Sequence, residues 1–332
     1  AEDWDTWEER AEAGEDIKPW HEVESFTYGD ETYTDVVIRL KGNPSSGWVG
    51  DKYLFVIAFD EVRSDARFHG LRQISLDAPY YDETVLRERL ALTWLAEIGQ
   101  IASCVNHARL DINGTYYGLY ASLEVADDLY LERRFGRAGA QGDLYKWDPV
   151  AGELEHEEGS SEGSEVEELL AVTTVAEFEA IADFEQALAF WAADFVMPNC
   201  DGYFRGTFNF LYYLHPDSGW LILPWDLDCS FEEYTQEWSE DIHRDYWGLT
   251  LPLDHLLTED PERWEAAVLA VREYYDPEVL EANVWTWNEQ IADSVYEDPH
   301  KYFSDDRFDE AVALIAAFPA ERLAYLESLD AK

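Results

Sequence analysis

Strand-forming and helix-forming patterns are separated along this chain, and this separation is the strongest constraint on its fold. The β-branched and aromatic runs Thr34–Leu40 and Tyr53–Phe59 predict two strands, joined by the Gly/Pro/Ser-rich loop 42–50. Gly70–Leu76 predicts a third strand, and the dipeptide Asn113-Gly114 between two alternating runs predicts a tight hairpin. From residue 173 onward the periodicity is mainly helical. We therefore expect an α+β protein, a small β-rich part followed by a mainly helical one.

Two helices and a second hairpin complete the coarse prediction. Asp82 precedes the amphipathic stretch DETVLRERLALTWLAEIG and is expected to cap a helix there. The apolar stretch FEQALAFWAADFVM predicts a buried helix that leads directly into Pro198. The runs FNFLYYL and GWLILP predict two short strands around the turn 215–219, and Leu253–Leu329 is amphipathic and helical.

Residues 149–168 form an acidic stretch of low complexity, PVAGELEHEEGSSEGSEVEE. So many charges with so few apolar residues leave little surface to bury in a core. We expect a mobile surface loop.

The charge of the chain excludes several classes of partner. It has 72 acidic and 23 basic residues, a formal net charge of −49. Such a field repels the phosphates of nucleic acids and of anionic lipids, so we expect neither as a partner. No run approaches the ~20 apolar residues of a membrane span, and no signal peptide is recognised at the N-terminus. The excess of carboxylates suits a saline or extracellular setting.

The three cysteines, Cys104, Cys200 and Cys229, are too few for a disulfide framework or a Cys-rich zinc site. A single bridge would leave one odd thiol. Cys200 and Cys229 each adjoin an acidic candidate residue, but we expect them to be small buried residues rather than a bridged pair.

The candidate chemistry lies around the second predicted hairpin. Asp201 follows the apolar helix, Asn209 stands at the first strand, and Asp226 and Asp228 follow the second strand. Such oxygen ligands suit a hard cation such as Mg²⁺. In phosphoryl transfer one Asp accepts the proton of the acceptor hydroxyl, while a later Asn and a second Asp hold the metal. The order of residues here is the order that this scheme requires, although Asp and Asn are also common in turns and caps.

Several segments of the chain resemble the spore-coat-protein CotH family of atypical kinases, from roughly Thr34 to Phe231. They are LKGNPSSGW, DKYLFVIAFDE, LRERLA, DINGTYYGLYASLEVADD, GDLYKWD, NCDGYFRGTFNFLYY and LILPWDLDCSF, and the C-terminal FPAERLAYLESL is also similar. The resemblance implies a protein-kinase-like, two-lobed fold with an atypical Gly-rich loop. It also implies transfer of the γ-phosphoryl group of ATP to Ser or Thr of a protein, with autophosphorylation. It implies a spore or cell surface as the location.

The same resemblance assigns the domains. Residues 1–33 would be an N-terminal arm, 34–126 the nucleotide-binding lobe and 127–332 the helical lobe, with the catalytic segment at 199–231.

Roles for single residues follow by position from the resemblance. Asp201 corresponds to the catalytic Asp, and Mg²⁺, with Mn²⁺ as an alternative ion, would be held by Asn209, Asp226 and Asp228. The predicted nucleotide-binding residues are Lys52, Arg72, Glu88, Glu124, Val125 and Lys146. Glu88 lies on the helix that matches the Glu-bearing helix of kinases, and Glu124 and Val125 lie where kinases contact adenine. Lys41, Lys52, Arg72 and Lys146 compete for the phosphate-clamping position, and Lys52 ranks first, followed by Arg72 and Lys146.

The chain departs from ordinary kinases at several points. It lacks a G-x-G-x-x-G loop, and the turn 42–47, preceded by Lys41, stands in its place. Asp201 and Asn209 are eight residues apart, against about five in protein kinases. The triplet His243-Arg244-Asp245 imitates a kinase signature but follows Asp226, the wrong order, so we interpret it as a surface segment.

Two other functions remain open at this point. The chain could be a non-catalytic surface adhesion or binding module on the same fold. It could also be a metal-dependent D-x-D glycosyltransferase, which explains Asp226 and Asp228 but not Asp201. For a kinase, the negative charge favours a basic, Ser-containing or Thr-containing protein as the substrate. The sequence does not indicate an oligomeric state.

Overall fold

The fold is given by a computed structural model, which describes residues 18–42, 52–78, 82–148, 153–161, 163–204, 208–232, 253 and 255–329. Three sequence predictions fall outside these ranges: most of the N-terminal arm, the Gly/Pro/Ser turn beyond Gly42, and the triplet 243–245. The described part of the chain divides into two compact units that are not continuous in sequence. The first unit comprises residues 1–85, 104–125 and 289–309, and the second comprises residues 86–103, 126–288 and 310–332.

The first unit is built on strands in two sheets. The strands are β1 (His21–Val23), β2 (Phe26–Tyr28), β3 (Glu31–Tyr33), β4 (Val36–Leu40), β5 (Phe55–Ala58), β6 (Gln73–Asp77), β7 (Val105–Ile112) and β8 (Thr115–Glu124). An antiparallel sheet has the order β1-β4-β5-β6-β8-β7, and β2 and β3 form a separate ribbon. Apolar side chains from successive strands pack into one core, among them Phe55, Ile57, Leu76 and Tyr120.

The hairpin predicted at Asn113-Gly114 is confirmed. Ile112 pairs with Thr115, which leaves the two predicted residues as the turn between β7 and β8. Both adopt positive φ, 52° for Asn113 and 76° for Gly114. Two-residue turns with this backbone match the twist of antiparallel strands, and Asn and Gly adopt it at low steric cost.

The second unit combines helices with a four-stranded sheet. The helices are α1 (Arg87–Glu97), α2 (Asp128–Gly139), α3 (Ser164–Leu170), α4 (Val175–Glu179), α5 (Phe184–Val196), α6 (His255–Glu259) and α7 (Pro261–Arg272), and the strands are β9 (Asp143–Asp148), β10 (Glu153–Glu158), β11 (Phe210–His215) and β12 (Gly219–Pro224). The sheet order is β10-β9-β11-β12. Two long helices, α8 (Pro277–Glu297) and α9 (Asp305–Leu329), contribute residues to both units.

Helix α5 forms as its sequence predicts. The Asp183 side chain accepts a hydrogen bond from the Gln186 N–H, so it caps the first turn. Most of the side chains that follow are buried, including the fully buried Trp191. The helix ends at Val196, two residues before Pro198, because a residue that precedes proline is disfavoured in the helical conformation. The chain thus leaves the core at the candidate catalytic segment.

Two sequence expectations are corrected by the structure. Helix α1 begins at Arg87 rather than after Asp82, because the Asp82 carboxylate instead accepts hydrogen bonds from the Thr84 backbone and hydroxyl and closes a separate turn. The acidic stretch 149–168 is not simply a loop, because it contains β10, which pairs with β9, and most of α3.

The physical reason for the second correction is that an edge strand needs little apolar burial. Most side chains of β10 are exposed, so its carboxylates remain in water while its backbone pairs with β9. Helix α3 buries Leu169 completely. Among the described residues, no helix is long and apolar enough to cross a membrane.

Candidate functional site

The turn that follows α5 carries Asp201. Its backbone N–H donates to the Asn199 side-chain oxygen at 3.3 Å, and the Gly202 N–H donates to the Asn199 carbonyl at 3.4 Å. Asn199 is itself 1% exposed, so the turn rests on a buried side chain. These contacts determine the direction in which the chain presents Asp201.

Asn209 and Asp226 stand at the open end of the β11–β12 hairpin. Phe210 pairs with Pro224 as the last pair of the ladder, and the Trp225 N–H donates to the Asn209 carbonyl at 3.3 Å. Both residues adopt positive φ, 63° for Asn209 and 53° for Asp226. Asn and Asp tolerate this left-handed conformation better than most residues with a side chain, and such backbone strain is concentrated at functional sites.

The structure brings Asp201, Asn209 and Asp226 together within the second unit. The Asn209 side chain hydrogen-bonds Asp201. Burial, followed by the negative charge of nearby Asp226, raises the pKa of Asp201 well above its usual range, and the hydrogen bond from Asn209 opposes this rise. The sequence-based grouping of these three residues is therefore a feature of the structure.

The three residues fit a hard divalent cation. Asp201 Oδ1 is buried and has no hydrogen-bond partner among the described residues. Buried carboxylate oxygens rarely lack a partner, and two neighbouring carboxylates repel each other unless a proton or a cation intervenes. A cation bound to Asp226 and Asn209 would relieve the repulsion between the two carboxylates, and carboxylate and amide oxygens are the ligands that Mg²⁺ prefers.

The segment containing Asp226 and Asp228 is tied to the turn containing Asp201 by backbone and covalent bonds. The Cys200 N–H donates to the Cys229 carbonyl at 3.1 Å, and the Phe231 N–H donates to the Pro198 carbonyl at 3.0 Å. Cys200 and Cys229 form a disulfide with their Cα atoms 5.4 Å apart. The expectation that they are merely small buried residues is wrong, because the two short segments run antiparallel and bring the side chains face to face.

Helix α1 supports the same segment. Glu88 is 3% exposed, and its carboxylate accepts a hydrogen bond from the Leu227 N–H at 3.4 Å. The preceding residue, Arg87, donates to the carbonyls of Ser230 and Phe231 at 2.9 and 2.6 Å. Glu88 therefore contacts the backbone between Asp226 and Asp228.

Lys52 and Arg72, two of the predicted phosphate-clamping residues, lie in the first unit and are already paired. Lys52 Nζ lies 2.5 Å from Asp298 Oδ2, and both side chains are buried. Burial lowers the pKa of Lys52, and the charge of Asp298 opposes this effect. Arg72 lies 3.4 Å from the carboxylate of Asp60.

The remaining predicted nucleotide-binding residues are distributed over both units. In the first unit, the Glu124 side chain accepts a hydrogen bond from the Cys104 N–H at 3.2 Å, and Val125 follows it at the end of β8. In the second unit, Lys146 is half-buried on β9, opposite Leu211 of β11. The nucleotide-binding roles of these residues stay predictions.

Sequence reasoning missed one residue of the site, Asp194 on α5. It is 7% exposed and accepts a hydrogen bond from the Phe204 N–H at 3.3 Å, beyond the turn that carries Asp201. Burial raises the pKa of Asp194 to about 7. A Cβ on Gly202 would collide with this carboxylate and approach Asn199 Cγ to 3.0 Å. The sequence signal that could have identified Asp194 is a single acidic residue near the end of an otherwise apolar helical stretch.

Comparisons with known proteins place the chain in a family. The family model described as CotH kinase protein matches residues 38–326, most of the chain. This chain belongs to the CotH kinase protein family. The resemblance drawn from its motifs is thereby confirmed. Among curated CotH relatives, the inner spore coat protein H of Bacillus subtilis (strain 168) is 25% identical over 301 residues, which cover 78% of this chain and 79% of that protein.

Solved structures show weaker similarity. The Helicobacter pylori proinflammatory kinase CtkA aligns with a TM-score of 0.43 and 9% identity, over 88% of this chain and 96% of that one. The Shewanella oneidensis HipA–HipB–operator DNA complex contains a chain that aligns with a TM-score of 0.34 and 11% identity, over 76% of this chain and 57% of that one. TM-scores below 0.5 do not establish a shared fold. The mixed α and β composition is confirmed by the strands and helices themselves, and a two-lobed kinase architecture stays a prediction.

Proposed function

We propose that this protein is an ATP- and Mg²⁺-dependent kinase that phosphorylates Ser or Thr of proteins, itself included. The observation that carries the proposal is the grouping of Asp201, Asn209 and Asp226, in a chain of the CotH kinase protein family. Mg²⁺, or Mn²⁺ in its place, would be held by Asn209 and Asp226 with Asp228 in support. When bound, the ion neutralises phosphate charge as the phosphoryl group is transferred.

In this proposal Asp201 accepts the proton of the acceptor hydroxyl. A group that takes up a proton at neutral pH works best when its pKa lies near the working pH. Burial, the largest cause, shifts the pKa of Asp201 in that direction. Asn199 and Asp194 hold the turn that presents the carboxylate, and Glu88 holds the backbone at Leu227.

For contact with the nucleotide phosphates we favour Lys41 over Lys52, Arg72 and Lys146. Lys41 Nζ is held by Ser75 Oγ at 2.8 Å and by the two Asp77 carboxylate oxygens at 2.7 and 2.6 Å. Its side chain keeps 18% exposure, and the residue immediately precedes Gly42, where the Gly-containing turn begins. Lys52, in contrast, is only 6% exposed and pairs with the buried carboxylate of Asp298. In the proposal, Glu124 and Val125 contact the adenine through their backbone.

The disulfide and the relative suggest where the protein works. Disulfides persist in oxidising environments and are rare in the cytosol. Cys200 and Cys229 are bridged, and the B. subtilis relative is a spore coat protein. We propose an extracellular, spore-surface or cell-surface location. The substrate would be a basic protein with accessible Ser or Thr, because a chain of net charge −49 attracts cationic partners.

The deciding experiment incubates the protein with γ-labelled ATP and MgCl₂ and follows label on the protein itself and on a basic Ser/Thr-containing protein. Asp226→Ala should abolish incorporation, a loss on the order of 10²-fold or more, while folding is unchanged. Asp201→Asn should also be inactive yet still bind ATP–Mg²⁺. The matched control is Asp217→Ala, an exposed Asp in the turn at the opposite end of the same hairpin.

The outcomes separate the three functions left open by the sequence. Turnover in Asp226→Ala at the wild-type rate would overturn the kinase assignment. Binding of ATP–Mg²⁺ without transfer would indicate a non-catalytic binding module, and stabilisation by a UDP-sugar with Mn²⁺ but not by ATP would indicate a glycosyltransferase.

A further inference from the structure

The C-terminal sequence FPAERLAYLESL, part of α9, has no role in the chemistry proposed above. It nevertheless contains Arg322, which is 0% exposed, the most deeply buried arginine among the described residues. Burying a guanidinium is costly unless hydrogen bonds and compensating charge surround it. The contacts of Arg322 therefore indicate what the tail does.

Arg322 contacts the end of α5. Its Nε donates to the Val196 carbonyl at 3.1 Å and its Nη2 donates to the Phe195 carbonyl at 2.5 Å. These carbonyls belong to the last turn of the helix, which has no intrahelical donors for them. The helix dipole also makes this end partly negative, so a cation is favoured there.

The environment keeps this cation charged. Burial lowers the pKa of Arg322 to about 10, so the guanidinium stays protonated at neutral pH. The rings of Phe195 and Tyr325 lie 5.6 and 5.0 Å from its central carbon, close enough for cation–π attraction. A fork with several donors can cap two carbonyls at once, which a lysine ammonium does less well.

The tail also contacts the segment from Asp226 to Phe231. One helical turn before Arg322, the Phe318 ring packs edge-on against Phe231, with ring centroids 6.4 Å apart. Phe231 is the residue whose N–H donates to Pro198 and whose carbonyl accepts from Arg87. The same stretch of α9 thus contacts the end of the Asp226–Phe231 segment and the helix end that leads into the turn of Asp201.

We infer that Arg322 is a positioning residue for Asp201: it caps the last carbonyls of α5 and so sets where the following turn presents the catalytic carboxylate. It touches neither the nucleotide nor the acceptor. The inference rests on the proposed kinase function. Loss of the cap would displace Asp201, and a displacement of about 1 Å at a reacting group lowers turnover by about 10²-fold.

The test compares Arg322→Met, which removes the charge and the donors, with Arg322→Lys, which keeps the charge but not the two-pronged geometry. The control is Arg307→Gln, an exposed arginine of the same helix that pairs with Glu83. For each full-length variant, kcat and the KM for ATP are measured at a temperature where circular dichroism shows it to be folded.

We expect kcat to fall by about 10²-fold in Arg322→Met, with partial recovery in Arg322→Lys, while the KM for ATP stays unchanged. A purely structural role would instead lower the melting temperature and leave the kcat of the folded fraction unchanged. If Arg322→Met does not fold, Arg322→Lys decides. In that case, a folded Arg322→Lys protein with wild-type kcat would overturn the inference. Failure of Arg322→Lys to fold would also overturn it, because Arg322 would then be required for the stability of the core.

A second readout does not depend on catalysis. The rate at which dithiothreitol reduces Cys200–Cys229, followed by alkylation and mass spectrometry, reports the geometry of the same turn. We expect faster reduction in Arg322→Met and Arg322→Lys, and the wild-type rate in Arg307→Gln. If the wild type transfers no phosphoryl group, the proposed function fails, and this rate alone decides: an unchanged rate would overturn the role of Arg322.

Discussion

Lys52 Nζ lies 2.5 Å from the Asp298 carboxylate, and the two side chains are only 6% and 2% exposed. The same carboxylate accepts the Leu119 N–H and the His300 N–H, each at 2.9 Å. Asp298 is thus a buried hub that joins three separate stretches of the first unit, and Lys52 supplies its countercharge. This ion pair indicates a structural role for Lys52, which the sequence analysis had placed first among the candidates for contact with the nucleotide phosphates.

The first prediction follows from that pair. Lys52→Ala leaves Asp298 buried without its countercharge, and we expect a loss of about 3–5 kcal/mol in the free energy of unfolding, measured with urea. The control is Arg109→Ala, which breaks an exposed pair with Glu297 and should change stability little. A Lys52→Ala protein of wild-type stability that fails to bind ATP would contradict this view and restore Lys52 as the clamp.

Lys41 is predicted to behave in the opposite way. We expect Lys41→Met to weaken ATP–Mg²⁺ binding by about tenfold or more, because a charged hydrogen bond to phosphate is lost. Stability should change less than in Lys52→Ala, because the Lys41 side chain keeps contact with solvent. Binding is measured by calorimetry, with Arg63→Met, an exposed basic residue of the same unit, as the control. Unchanged affinity in Lys41→Met would remove it from the nucleotide site.

The third prediction concerns pH and the acidic stretch 149–168. Glu165 accepts a hydrogen bond from the Tyr145 hydroxyl at 2.7 Å, and Ser161 also hydrogen-bonds it. These bonds, that from Ser161 first, lower the pKa of Glu165 from 4.5 to about 2. Because the folded state favours the ionised form, the stabilisation is fully present above pH 4.5 and is lost as the pH falls towards 2.

This pH dependence is tested by urea unfolding of the wild type, Glu165→Gln and the exposed control Glu167→Gln at pH values between 2 and 6. The difference in stability between wild type and Glu165→Gln should be largest above pH 4.5 and shrink on acidification. A difference that stays constant over this range would show that the hydrogen bonds around Glu165 do not contribute to the free energy of unfolding.

The fourth prediction concerns the space beside Gly202, in the turn that carries Asp201. A Cβ at Gly202 would press against Asp194 and approach Asn199 Cγ to 3.0 Å, so Gly202→Ala must displace the turn that carries Asp201. We expect turnover to fall by about 10²-fold with ATP–Mg²⁺ binding retained. The control is Gly99→Ala, which has no atom near its Cβ but strains a left-handed backbone at φ 83°. Equal losses of activity in the two variants would mean that general destabilisation, not the turn, is responsible.

Local patterns of this sequence determined much of the secondary structure within each unit. Asn113-Gly114 forms a hairpin because few other residues tolerate its two positive φ angles. Helix α5 ends before Pro198 because proline restricts the preceding residue. The order Asp201, Asn209, Asp226 could be interpreted as a metal-binding set because the chemistry of hard cations restricts the ligands that they take.

Tertiary structure alone decided which partners these residues meet. No pattern in the sequence pairs Lys52 with Asp298, 246 residues away, or places the Arg322 guanidinium on the end of α5. The acidic β10 pairs with β9 because backbone hydrogen bonds at a sheet edge do not require apolar side chains, so composition failed to predict it. Cys200 and Cys229 are bridged because two short segments run antiparallel beside each other. The spacing of the two cysteines along the sequence does not reveal this proximity.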